Sequence, residues 1–426
     1  MSDPVNLVLP DVVQEATGPK AITIGQLQAA LATAKPGDVV ALLIVTGTIK
    51  TTLTIPAGVT LEGGGEMKLD VQGRPKGHSG LATTLVADPT LDGGMLALAD
   101  GATLRNVVIK DVVRTPKSLG ALVVICSTKS GDRIEATVED CELHNPNPSR
   151  VGDNGPTGRS VLVFTRNDGK AAPPPPDDNA RVTAIVRRSI IHSPAGGSGV
   201  FAVNFASRAS VVVRLDHNVV GGGLDATGGV SRPDTVVDSA TVIYSDSNVY
   251  KVDPGSPAGI GWSLHGGSNP PPASIAPTRI SRSNRLVMDS TNDRIEGFDV
   301  GLYAAGGARP NNTGVEVDSN SAYLTLDGTV FAKSGVADVM LFGAVAGGAF
   351  LPGNDNHLFV ALRSVKASQA LPLTNVYADS AQDDGSPLAP ADLGTGNFLE
   401  ILGDVPFNPG PPALVQAIIA LPDGKA

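Results

Sequence analysis

Arg181–His192 reads RVTAIVRRSIIH, Ser210–Gly221 reads SVVVRLDHNVVG, and Ala240–Lys251 reads ATVIYSDSNVYK. The three share one pattern: alternating aliphatics, two polar or charged residues, a small polar residue, then an apolar pair. Ser189, Asn218 and Asn248 hold the same place, 29 and 30 residues apart. A unit of that length cannot bury its apolar face alone, so it must stack on its neighbours as a solenoid.

The register extends in both directions, with Asn106 opening NVV, Cys141 opening CEL, Asn284 opening NRL, Thr329 opening TVF and Ser364 opening SVK. The shortest spacings are one bare coil, and the excess elsewhere is inserted loop. Such loops are tolerated because closure entropy rises by only about 0.6 kcal/mol per doubling of length. The largest insertion falls between Cys141 and Ser189 and holds HNPNPSRVGDNGPTGR and KAAPPPPDDN, whose Pro, Gly and Asp content marks surface loops. In each coil the residues three and five before the small polar position alternate with polar ones, as with Val138 and Ala136 or Leu215 and Val213, and so face inward. Further apolar runs at 121–125, 161–164, 199–205, 260–264, 300–303 and 339–342 predict a second sheet along the solenoid.

Composition agrees. The 426 residues are 41% hydrophobic but only 4% aromatic, and 50 Gly with 33 Pro between short β-branched runs read as an all-β chain with many turns. A net charge of −10 argues against nucleic-acid and anionic-membrane partners, which need a basic surface. Cys126 and Cys141 read as buried free thiols in preference to a disulfide. The N-terminus lacks a basic stretch leading into an apolar run and cleavage site. No apolar run approaches ~18 residues, so the chain reads as soluble, either cytoplasmic or exported by a removed signal or another route.

Residues 1–20 read as a polar arm and 21–410 as a single solenoid domain. Thr23 to Gln26 forms a capping box ahead of a helical stripe at Leu27, Ala30, Leu31 and Ala34, ended by Pro36-Gly37-Asp38. A helix over 24–34 suits the mouth of a solenoid, where the first coil would otherwise expose its core and unpaired strand edge. Residues 411–426 carry a second apolar stripe, Leu414, Val415, Ile418 and Ile419, expected as a helical segment or tail.

The phrase QLQAALATAKPGDVVALLIVTGTI followed by LTIPAGVTLEGGG resembles the opening of pectin-lyase-like right-handed parallel β-helix proteins. The resemblance implies an all-β right-handed parallel β-helix of about ten coils with an N-terminal capping helix. It also implies that Asn at a bend stacks on the Asn of the next coil and bonds its backbone, a role that suits Asn218, Asn248, Asn106 and Asn284. It does not select an activity, since the superfamily houses lyases, hydrolases, epimerases, esterases and non-catalytic surface proteins. The motifs of its enzymes are incomplete here. Ser231-Arg232-Pro233-Asp234-Thr235-Val236 lacks the second arginine of the calcium-dependent lyases, and Leu215-Asp216-His217-Asn218 falls at the bend.

Candidate chemistry gathers near the long insertion and the adjoining strand ends: Asp153, Asp177, Asp178 and the residues below. His144 and His192 occupy the same point of adjacent coils and would stack about 4.8 Å apart. Such a pair could bind metal or move protons, but without a third ligand an exposed ladder is the plainer reading. His265 stands at a strand end beside Trp262, the only tryptophan, where a sugar could stack and an imidazole exchange protons; packing of Trp262 under Pro270–Pro272 is the alternative. A charged row, Glu139, Arg187, Asp216, Asp246, Arg282 and Asp327, suggests outward ion pairs worth little each. Asp216 and Asp246 could share a Ca2+, yet calcium takes six or more oxygens and only two are located. No metal or other cofactor is expected.

The functional expectation is a carbohydrate-processing protein, a polysaccharide lyase, epimerase or hydrolase, that binds a polysaccharide or oligosaccharide along a surface groove. Catalytic work falls to His265, His192, Arg166 and Asp225, and substrate binding to His144, Arg159, Asn204, Arg208 and Trp262. The rival is a non-catalytic β-helix acting in surface attachment, adhesion or binding, which the scarcity of aromatics and of complete motifs favours.

Overall fold

Strand geometry gives one residue every 3.3 Å and side chains on alternate faces, and the chain uses both to wind a right-handed parallel β-helix. A computed structural model describes residues 21–114, 121–147, 158–165, 178–194, 197–230, 235–268, 279–309, 315–346, 353–368, 373, 375–382, 386, 388, 394–403 and 418–419. Three long all-parallel sheets run the length of the solenoid, with 12, 8 and 10 strands among the described residues. The first contains the seven-residue strands Arg133–Glu139, Arg181–Arg187, Ser210–Asp216, Ala240–Asp246, Arg285–Thr291 and Ser321–Asp327. The second contains three-residue strands such as Glu142–His144, Ile190–His192, Val219–Gly221 and Val249–Lys251. The third contains Arg159–Thr165, Ser198–Asn204, Leu224–Val230, Ile260–Ser268 and Val300–Arg309.

The apolar pair after each small polar residue is therefore a strand in its own right, and the expected second sheet is the third. Leu224–Val230, sequence LDATGGV, is not evident from the apolar pattern because its two glycines hide the strand.

Inward rows stack residue on residue. Ala136, Ala184, Val213, Ile243, Met288, Leu324 and Val360 form one row of the first sheet. Leu143, Ile191, Val220, Tyr250, Ile295 and Phe331 form the row of the second. These residues belong to a single continuous core. The helix Ile24–Thr33 closes the N-terminal end, capped by Thr23, whose hydroxyl accepts from the Gln26 N–H while the Gln26 side chain accepts from the Thr23 N–H. Leu27 and Leu31 seat it on the first coil.

Two corners carry polar ladders. At the first, Asn218 N–H donates to Asn248 Oδ1 at 2.8 Å and Asn248 N–H donates to Asp293 Oδ1 at 2.8 Å. At the second, Asn284, Asn320, Asn356 and Asn397 repeat the same bond from coil to coil. Each satisfies backbone groups that a turning strand would leave buried and unpaired. Asn284 thus belongs to the second ladder, not the first, and its expected place is held by Asp293. Asn106 and Ser364 also shift by one: they take the left-handed conformation that precedes the ladder position, with φ of 55° and 52°. Gly267 lies against the second ladder, where a Cβ would come within 2.3 Å of the Asn320 amide carbon.

An antiparallel hairpin, Glu66–Leu69 with Pro75–Ser79, departs from the coil pattern. It lies along the left-handed bend row of Asp140, Arg188, His217 and Ser247. Arg74 Nε donates to the Ser247 carbonyl at 3.3 Å, and His78 Nε2 lies 2.9 Å from the Asp140 carbonyl. Of the C-terminal stripe, only Ile418–Ile419 is described, as a two-residue strand beside Ile401–Leu402. The 1–20 arm lies outside the described residues. Among them, no helix is long and apolar enough to cross a membrane.

Candidate functional site

The outer face of the third sheet is unusually apolar for a strand surface. Val124, Leu162, Phe164, Phe201 and Val203 form one buried patch toward the N-terminal end. Tyr303, Ala305, Met340 and Phe342 form another toward the C-terminal end. Between the two lies a polar island. Asp225 and Ser263 are cross-strand partners, as are Thr227 and His265, so all four share the outward face of adjacent strands. Strand geometry separates the diagonal pair Asp225 and His265 by about 7–8 Å between backbones.

Part of each of these two side chains reaches solvent, yet their surroundings are poorly hydrated. Burial pushes the Asp225 carboxyl up to about 6, with the Arg159 guanidinium pulling it the other way. Burial also pushes the His265 imidazole down to about 4. The Arg159 guanidinium carbon lies 3.4 Å over the Phe201 ring at the edge of the island, and the Tyr303 ring stands edge-on to His265 at 5.7 Å. Between pH ~4 and ~6 the island holds a neutral carboxylic acid and a neutral imidazole, a proton donor and a proton acceptor side by side.

Other residues singled out from the sequence are placed elsewhere. Trp262 is buried completely in the solenoid core, edge-on to Tyr250 and Phe331, so no sugar can stack on it. It points inward because it stands one residue from the outward Ser263 on a two-residue period. Asn204 is also withdrawn: its amide nitrogen donates to the Gly228 and Ala240 carbonyls and to Thr241, and its oxygen accepts from Thr165. These bonds fix a corner of the fold and leave it no free face. Arg208 stands at a left-handed bend, about half exposed, 3.8 Å from Asp238. Asp178 is a buried turn former whose carboxylate accepts from the Ala180 N–H. Arg166, Asp153 and Asp177 lie outside the described residues. In the charged row, Thr291 takes the place expected for Arg282. Arg105 there pairs with Glu62 at 2.9 Å and Arg187 pairs with Glu139. Asp216 is engaged by His217 at 2.5 Å, and its neighbour Asp246 by the Ser247 hydroxyl. Cys126 and Cys141 are not joined in a disulfide; Cys126 is half-buried, not buried as expected, and burial pushes Cys141 up to about 12, which makes it inert.

His144 and His192 lie on the outer face of the second sheet, around the corner from the Asp225 island. They are cross-strand partners and their rings stack with centroids 4.5 Å apart. The repeat pattern pairs them but does not show their neighbours. Glu142 is two residues before His144, hence on the same face of the same strand, and its Oε1 accepts from His144 Nε2 at 2.7 Å. His144, bonded to it, and then His78 beside it hold its carboxyl far below the usual carboxylate range. Gly221 follows His192 in that row and has no side chain; a Cβ there would meet Asp253 at 2.3 Å. Asp253 uses that space to reach His192 and the Ser193 N–H. Burial works against ionisation of Asp253, but those two bonds outweigh it and hold its carboxyl low. The sequence carries the Glu-x-His spacing, although Glu142 did not stand out among its candidates, and His78 appeared there only in the motif fragment Gly77-His78-Ser79-Gly80; periodicity places neither His78 nor Asp253 beside the pair.

The fold and these two faces define a parallel β-helix with outward clusters of titratable side chains. No protein-family model matches the chain, and no curated protein does either.

Proposed function

We propose that the protein processes a polysaccharide, with the Asp225–His265 island as its proton-transfer centre. One observation supports this above the others: a carboxylic acid raised to about 6 and an imidazole lowered to about 4 on adjacent strands of one outer face. Opposed shifts of this kind let one group donate and the other accept a proton at the same pH, as cleavage or epimerisation at a sugar carbon requires. Asp225 acts as the acid, His265 as the base, and Arg159 beside Phe201 engages a carboxylate or hydroxyl of the sugar. A solenoid suits an extended polymer, since it repeats side chains every 4.8 Å or so along a rigid axis.

The test is a panel of polyuronides and neutral glycans, followed by the appearance of unsaturated products and of new reducing ends. Turnover on one class is expected, with Asp225→Asn and His265→Ala each losing at least about a hundredfold in kcat. Full activity in both variants removes the island from the mechanism.

A second reading, a glycan-binding or adhesive surface without catalysis, rests on the outer face of the first sheet. There the rings of Tyr323 and Phe359 stack at 4.9 Å and 1°, with the Phe398 ring 6.1 Å from Phe359. The Arg285 guanidinium lies 5.3 Å over Tyr323. This exposed aromatic shelf could hold sugar rings without any chemistry. Binding without turnover across the panel, lost in Tyr323→Ala, favours this reading over the first.

A further inference from the structure

The outer face of the second sheet gathers three imidazoles around one carboxylate. Donation from His78 Nε2 to the Asp140 carbonyl, at 2.9 Å, leaves the lone pair of a neutral ring on Nδ1. That nitrogen is buried, lacks a hydrogen-bond partner, and lies 3.6 Å from Glu142 Oε2. His192 turns Nδ1 toward Asp253 Oδ1 at 3.5 Å, which leaves its Nε2 lone pair 3.8 Å from Glu142 Oε1. His144 Nε2 sits 2.7 Å from that same oxygen. One carboxylate thus faces three imidazole nitrogens, a set whose charges and lone pairs are reconciled by a cation or a proton lying among them.

We propose that Glu142, His144 and His192 bind one divalent transition-metal ion of the zinc class. His78 faces the other oxygen of the same carboxylate from the hairpin, and Asp253 orients His192 from outside the set. The donor atoms of Glu142, His144 and His192 all lie within 4.8 Å of one another. Ligands at 2.0–2.1 Å around tetrahedral zinc stand about 3.3 Å apart, and the separations of His144 and His192 from Glu142 Oε1, 2.7 and 3.8 Å, bracket that value. Imidazole nitrogens with a single carboxylate suit Zn2+, Co2+, Ni2+ or Cu2+, whereas Ca2+ and Mg2+ take shells of oxygen. A carboxylate behind a ligating histidine sets its tautomer and raises its basicity, and Asp253 holds that position. Asp253 also lines a cleft of about 250 Å³ bordered by Ser193, Gly223, Gly259, Ile260 and Phe298, so the ion stands next to space for a small ligand. The hairpin 66–79 would also feel the ion through Glu142, whose second oxygen lies 3.6 Å from His78 Nδ1.

The experiment uses the full chain, stripped with a chelator and titrated with Zn2+ by calorimetry and with Co2+ by visible absorption. One ion per chain at about micromolar Kd or tighter is expected, with the intense Co2+ bands of four-coordinate geometry. Glu142→Gln, His144→Ala and His192→Ala each weaken binding by at least about a hundredfold, and Asp253→Asn by about 10- to 100-fold. His78→Ala also weakens binding and removes the metal-induced slowing of amide exchange in the hairpin. His217→Ala, which removes a histidine paired with Asp216 on the neighbouring bend, leaves binding unchanged. Circular dichroism confirms that each variant is folded. The proposal is overturned by millimolar or non-stoichiometric binding, or by equal losses in His217→Ala. It is also overturned if NMR shows His78 and His192 as imidazolium ions at neutral pH with no response to metal, since the cluster is then a set of ion pairs.

Discussion

Asp293 interrupts the asparagine ladder with a carboxyl group, and Asp293→Asn tests what that costs. The side chain is fully buried. Its Oδ1 accepts from both nitrogens of Asn248 at 2.8 and 3.1 Å, and its Oδ2 accepts from the Ser290 hydroxyl at 2.7 Å. Burial dominates these bonds and pushes the carboxyl up to about 6, from an ordinary value of 3.8. A carboxyl raised on folding stabilises the fold fully below the unfolded value, and that contribution fades as pH rises through about 6. At one pK unit per 1.36 kcal/mol, the native state gives up about 3 kcal/mol between pH ~4 and ~7 through this group alone. An asparagine keeps the Oδ1 acceptor and has no charge to bury. Its Nδ2 can donate to Ser290, whose hydroxyl can turn its proton to Thr329, 2.9 Å away. The expected result is a variant nearly equal to the parent at pH 4 and more stable by about 3 kcal/mol at pH 8. The assay is urea unfolding at both pH values with two probes, because solenoids need not unfold in one step. A difference between variant and parent that does not change with pH would falsify the account of a buried, raised carboxyl.

Three further outcomes follow from the same geometry. If Asp225 is the acid and His265 the base, kcat/KM on the responsive glycan follows a bell, falling below pH ~4 as His265 protonates and above pH ~6 as Asp225 ionises; a profile flat from pH 4 to 8 excludes the pair. Gly267→Ala forces a Cβ to within 2.3 Å of the Asn320 amide carbon, so it should destabilise by about 1–3 kcal/mol, read as a lowered unfolding midpoint; an unchanged midpoint means that the ladder can shift aside. Trp262→Ala leaves a cavity in the core and should cost about 3–5 kcal/mol, while the parent's Trp fluorescence should resist acrylamide quenching; ready quenching would contradict its burial.

The coil metric was legible because stacked coils require a period-2 pattern that recurs at a fixed interval, and the chain carries one. Ser189, Asn218 and Asn248 fall where that pattern puts them, and the stacking of His144 on His192 follows from the same count. The ladder register slipped at Asn284 because two corners of the coil use the same device, an asparagine ahead of an apolar strand. Sequence does not say which corner a given Asn turns. At Trp262 the difference was one of facing. A single-residue change of parity separates the core from the surface, and GWSLHGG gives too short an alternation to decide it.

The sequence alone determined the class of architecture and the capping helix, since these depend on local periodicity and on composition. Tertiary structure decided what the titratable groups face. The island of Asp225 and His265 exists because parallel pairing puts residues from successive coils side by side. The histidine cluster exists because a hairpin leaving the first coils lies over the bends of later ones and sets His78 against Glu142. Contacts made by loops leave no trace in periodicity, because a loop's path depends on the surface it covers and not on its own spacing.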